Sequence, residues 1–110
     1  MASFLYLFRG GVDMSSPEDA QKHMQKWGAW MAELGKQGNF KSGEPLDSSG
    51  KVVRGRGKTV TDGPYAEAKD RVGGYLIVEA NDLNHATELS RGCPIFDNDG
   101  AVEVRAIMKM

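Results

Sequence analysis

The sequence predicts an α+β domain of ferredoxin-like type: β-α-β-β-α-β order, one antiparallel sheet, and two helices on one face. Three observations carry this. Short apolar runs and two amphipathic helical stretches follow one another in that order. The last run, AVEVRAIMK at 101–109, alternates with period two, as a strand with one covered face does. The length of 110 residues suits one domain, 1–110, with a single core.

The elements follow in order. SFLYLF at 3–8 is short, apolar and aromatic, so it reads as a strand that ends at Gly10-Gly11. Ser16-Pro17-Glu18-Asp19 is a helix start: an N-cap serine, a proline at the first helical position, then two acids where the dipole favours them. The helix is expected over 17–36, with Ala20, Met24, Trp27, Met31 and Leu34 as its buried stripe and Gly38-Asn39 as its end. FKSGEPL at 40–46 is a short second strand. The glycine-rich, basic segment 47–58 is a hairpin region, and TVT at 59–61 leads into Asp62-Gly63-Pro64-Tyr65. VGGYLIVEA at 72–80 is the strongest strand. Asn81 or Asp82 caps a second helix over 82–91, with Leu83, Ala86, Leu89 and Ser90 turned inward, and Gly92-Cys93-Pro94 stops it.

Composition excludes several function classes. Net charge is −1 with both signs interspersed, which argues against a nucleic-acid or membrane surface. The single cysteine, Cys93, allows no intrachain disulfide and suits a reducing, cytoplasmic setting. The apolar run near the N-terminus is too short for a signal sequence or membrane span. The segment KVVRGRGKT at 51–59 fails both phosphate-loop spacings, because Val52 and Val60 stand where glycines are needed. No cofactor is expected. Nor is a metal: His85 and Glu88 at i, i+3 are only two ligands on a surface helix. Cys93 reads as a small buried hydrophobe rather than a nucleophile.

Two residues carry the candidate chemistry. Asp62 begins a rigid turn, since Asp bonds its own following backbone, Gly63 permits positive φ and Pro64 fixes the next φ. That turn role is sufficient by itself, yet a carboxylate on a rigid mount is also what a catalytic acid or base requires. His23 lies on the flank of the helical stripe, and histidine is the side chain best suited to proton transfer, so it is either a half-exposed surface histidine or a proton partner for Asp62. Tyr65 and Lys69 flank the turn as substrate-binding candidates. Phe4, Tyr6 and Phe8 share one face of the first strand. That face is expected to lie away from the helices, with Leu5 and Leu7 beneath them. The uncovered face would then hold Tyr6 and Arg105 around a polar and aromatic cavity closed by a second copy of the chain.

Four stretches resemble the DGPF-domain branch of the YCII-related family. They are FLYLFRG, GNFKSGEPL, TVTDGPYAEAKDRVGGYLIVEANDLNHATELS and GAVEVRAIM, in the family's order across nearly the whole chain. The signature stands here as DGPY, with Tyr65 where phenylalanine is usual. The resemblance implies a homodimeric α+β barrel and no single reaction. In the wider family, a dehydrochlorinase of a chlorinated hydroxyquinol uses a helix histidine paired with an aspartate. Counted back from Gly38, Trp27 falls nearer that histidine position than His23 does. The expected function is binding of a small aromatic or hydroxylated compound, with Asp62 as acid or base, His23 as its partner, and Arg105 or Lys69 stabilising charge. The alternatives are a non-catalytic regulatory ligand-binding module and a protein-interaction module.

Overall fold

The structure is a computed structural model and describes residues 1–11, 16–47, 49–63 and 70–110. The order is β1 (Ala2–Arg9), α1 (Pro17–Lys36), β2 (Phe40–Pro45), β3 (Lys51–Arg54), β4 (Thr59–Asp62), β5 (Val72–Ala80), α2 (Leu83–Ser90), a 3-10 helix (Pro94–Asn98) and β6 (Ala101–Ala106). Strands β2-β5-β1-β6 form one sheet whose neighbours are all antiparallel, and β3-β4 form a separate hairpin. This is the expected ferredoxin-like arrangement, with both helices on one face.

Helix α1 begins as its sequence dictates. The Ser16 hydroxyl accepts from Asp19 N–H, Pro17 takes the first turn, and Glu18 and Asp19 face the positive end of the dipole. At its far end Asn39 N–H donates to Leu34 C=O, and Gly38 takes a positive φ of 80°. Asp82 caps α2 by accepting from His85 N–H, and His85 Nδ1 accepts in return from Asn81 N–H.

The faces of β1 are the reverse of the sequence expectation. Phe4, Tyr6 and Phe8 point under the helices and are buried, while Leu5 and Leu7 lie half-buried on the uncovered side. The reason is the partner they meet. Helix α1 buries Trp30 and Leu34, with Trp27 and Met31 packed at the margin, and Met24 is 73% exposed. The expected stripe through Met24 is therefore rotated towards Trp30, and the tryptophans demand an aromatic floor. Tyr6 stacks on Trp30 at 6.2 Å, Phe8 meets Trp27 edge-on at 4.8 Å, and the two tryptophans lie 5.8 Å apart. Leu76, Val78, Ala80, Ala86, Cys93 and Ile95 complete this core. Leu83, expected inside, is half exposed.

The 3-10 helix at Pro94–Asn98 was not foreseen; Pro94 at its first turn and a left-handed Asp99 after its end define it. The hairpin of β3 and β4 stands off the body. Its cross-strand pair Val53 and Val60 is 63% and 57% exposed. The radius of gyration is 15.3 Å, where a compact chain of this length gives about 13 Å.

Candidate functional site

The end of the sheet from which β1 departs is rich in glycine. Gly10 and Gly11 follow β1 with φ of 65° and 73°, Gly73 and Gly74 open β5, and Gly43 sits in β2. A bulge between Phe8 and Arg9 leaves Gly73 outside the register. At Gly43 the strands approach too closely for a side chain, and at Gly74 the approach is tight. A Cβ on Gly43 would collide with Leu76 and lie 2.5 Å from the Tyr75 carbonyl oxygen, and one on Gly74 would lie 3.1 Å from the Glu44 carbonyl oxygen.

Between this glycine-lined end and the first half of α1 lies a cavity of about 700 Å³. Phe8, Trp27, Met31 and Leu76 form its apolar walls, and Ile95 closes it from the 3-10 helix. Met24 and Gly28 line it from α1, and Tyr75 and Pro45 from the strands. His23 and Asn98 bring polar groups to it, and Glu44 borders it from β2. The size and the mostly apolar lining with few polar groups are those of a small-molecule site.

The chemistry of His23 follows from its neighbours. Trp27 Nε1–H donates to His23 Nε2 at 2.8 Å. An indole nitrogen can only donate, so Nε2 must carry the lone pair and the ring proton resides on Nδ1. The Asn98 amide, 3.3 Å away, faces the same Nε2 and donates as well. Among the described residues Nδ1 has no partner. The imidazole thus has an N–H donor free for a ligand and a lone pair that is engaged.

Of the residues singled out in the sequence, His23 is the one the described structure brings to the cavity. Asp62 stands at the base of the hairpin with its side chain 89% exposed, and its carboxylate accepts from Lys51 Nζ at 2.6 Å. Gly63 follows with the expected positive φ, 81°, and its N–H donates to Gly50 C=O across the hairpin, while Pro64 lies outside the described residues. Arg105 lies on the uncovered sheet face beside Glu103, 3.2 Å away, outside the cavity. Tyr6 lies at the centre of the core, not on the uncovered face where it was expected, and its hydroxyl donates to the Ala86 carbonyl. Burial, with the nearby Cys93 adding to it, pushes the Tyr6 phenol up to about 12. Tyr65 and Lys69 lie outside the described residues.

Cys93 is buried, and desolvation pushes its thiol up to about 12, which makes it a poor nucleophile. Among the described residues no group of acids, histidines and cysteines could hold a metal. Glu44, Asn98 and Tyr75 were missed as lining residues. The signal available was the set of paired glycines, 10-11 and 73-74, which mark a sheet end kept open.

A solved structure of 5-chloro-2-hydroxyhydroquinone dehydrochlorinase from Burkholderia phenoliruptrix, in complex with 2,5-dihydroxybenzoquinone, has a similar fold. The TM-score is 0.53 at 19% identity, covering 98% of this chain and 95% of that one. At that identity the likeness concerns the fold. No curated protein matches. The YCII-related domain matches residues 5–110, nearly the whole length. From Leu5 to its last residue, then, the chain belongs to the YCII-related family.

Proposed function

We propose that this protein binds a small, flat aromatic or hydroxylated compound in the cavity between α1 and the glycine-lined end of the sheet. The observation that carries the reading is that cavity: about 700 Å³, walled by Phe8, Trp27 and Met31, with a histidine whose Nδ1–H is unpartnered among the described residues. The ligand of the similarly folded dehydrochlorinase, a single-ring dihydroxyquinone, is of this kind. His23 donates to a ligand oxygen and so favours a phenol, phenolate or quinone. Its lone pair is held by Trp27 and Asn98, so it is no base in this state. Asp62 takes the role of base, and Tyr65 and Lys69 contribute to binding from the chain beyond it.

The working unit is a homodimer formed through the uncovered sheet face. Leu5, Leu7, Tyr75 and Ile77 lie half-buried there with neither helix over them. Arg9, Glu103 and Arg105 form a charged rim, with Arg9 Nε 2.8 Å from Glu103. A second copy on this face allows Asp62, exposed on its projecting hairpin, to serve a cavity it does not line in its own protomer.

Thermal-shift titration with hydroquinone, catechol and dihydroxybenzoquinone tests the reading. At least one should raise Tm saturably, since a ligand at a hundred times its Kd adds about 2.7 kcal/mol. Asp62→Asn preserves the turn bonds and the fold, and should weaken binding or turnover by about tenfold or more. Absence of any saturable shift across the series would remove the small-aromatic reading. Unchanged binding in Asp62→Asn, with Asp62→Ala unstable, would make Asp62 a turn residue only.

A further inference from the structure

Gly28 lies in the middle of α1, where glycine is unfavourable relative to alanine. Nothing among the described residues demands it. Its φ is not in the left-handed region, and a Cβ built there meets no atom of the described residues within 4 Å. What sets it apart is place. Met24, Gly28 and Met31 fall on one stripe of the helix, and all three line the cavity. Met24 is largely exposed, so this stripe is the rim of the cavity rather than its floor. Gly35 provides the contrast. It is helical and equally open around its Cβ, yet it does not line the cavity.

We infer that Gly28 determines ligand size: its missing side chain is the notch between Met24 and Met31 through which a flat ring enters. This rests on reading the cavity as a ligand site. A methyl group at 28 narrows the notch, and a leucine fills it. Single-ring phenols and quinones pass in the wild type, and two-ring compounds are the first to be rejected as the notch closes.

The test compares Gly28→Ala and Gly28→Leu with Gly35→Ala and Gly35→Leu. Tm is measured for each, with tryptophan-fluorescence titrations of hydroquinone, 1-naphthol and the apolar dye 1-anilinonaphthalene-8-sulfonate. All four variants should match or exceed the wild-type Tm, because alanine and leucine are better helix formers. Gly28→Leu should weaken hydroquinone binding about tenfold or more, on the scale of one or more misfitting methylenes in a pocket. Gly28→Ala should lose a larger factor for 1-naphthol than for hydroquinone. The Gly35 variants should bind within about twofold of wild type, as surface changes away from the site do. Wild-type binding in Gly28→Leu, or an equal loss in Gly35→Leu, overturns the inference while leaving the ligand site standing. If the wild type takes up the dye but no phenol or naphthol, the aromatic-substrate reading falls and the dye affinities decide Gly28 by the same criteria. If it binds none of the three probes, both fall.

Discussion

At the residue scale, two hydrogen bonds define what the protein can do. Trp27 fixes the tautomer of His23, and with it the donor offered to a ligand. Trp27→Phe removes the shorter of the two contacts at Nε2, leaving only the Asn98 amide there among the described residues, and should cost about 1 kcal/mol, the usual value of one such bond. Nitrogen NMR of His23 should show a single Nδ1–H tautomer in the wild type and a mixture in the variant. A wild-type ring protonated on Nε2 would contradict the assignment. The second bond runs from Tyr6 to the Ala86 carbonyl. The phenol is held up at about 12 against an ordinary 10.0, and the Cys93 thiol at about 12 against 9.0. A group with a raised folded pKa stabilises fully below its unfolded value and loses that contribution as pH rises through the folded one. Stability should therefore fall between about pH 9 and 12, and Tyr6→Phe should shallow the part above pH 10. Denaturant midpoints across that range measure it, and an unchanged slope in Tyr6→Phe would contradict the burial argument.

At the element scale, periodicity revealed which residues travel together but not which way they face. Alternation put Phe4, Tyr6 and Phe8 on one side of β1, and that grouping holds. Their direction depended on α1, whose expected stripe of Ala20, Met24, Trp27, Met31 and Leu34 is turned in the structure so that Trp30 is buried and Met24 is exposed. The larger aromatic area prevailed, because burying a tryptophan removes more apolar surface than burying a methionine. The caps and strand ends were legible because they depend on local chemistry: Ser16 and Asp82 as N-caps, Gly38 as a left-handed stop, Gly63 as a left-handed residue after β4. The cavity was not legible, because its walls come from five elements and its floor is backbone. The strand contacts that shape that floor can be probed at Gly43. Gly43→Ala drives a methyl against Leu76 and the Tyr75 carbonyl, and should destabilise by about 1–3 kcal/mol. A neutral effect in chemical denaturation would mean that β2 and β5 are not so closely apposed.

At the scale of the whole molecule, the protomer leaves unfinished surfaces. The uncovered sheet face carries apolar side chains within a charged rim, and the hairpin projects with its valines in solvent. Both are accounted for by the proposed second copy. Light scattering at micromolar concentration should give about 24 kDa, twice the 12.0 kDa chain. A monomer mass would remove the route by which Asp62 reaches a cavity. The hydrogen bond from Arg9, then that from Arg105, holds the Glu103 carboxyl below its ordinary 4.5. A depressed carboxylate stabilises above its unfolded pKa and loses the contribution as pH falls through the folded one. Acid should therefore weaken the protein below about pH 4.5, less so in Glu103→Gln.

The central claim is that the cavity beside Trp27 receives a single aromatic ring, and the two tryptophans allow a direct reading. Trp27 lines the cavity, whereas Trp30 is buried in the core with its indole N–H donating to Leu89 C=O. In a proton–nitrogen correlation spectrum titrated with hydroquinone, the Trp27 indole signal should move saturably while that of Trp30 stays nearly still. Saturable binding that leaves the Trp27 signal in place would locate the ligand elsewhere and contradict the account.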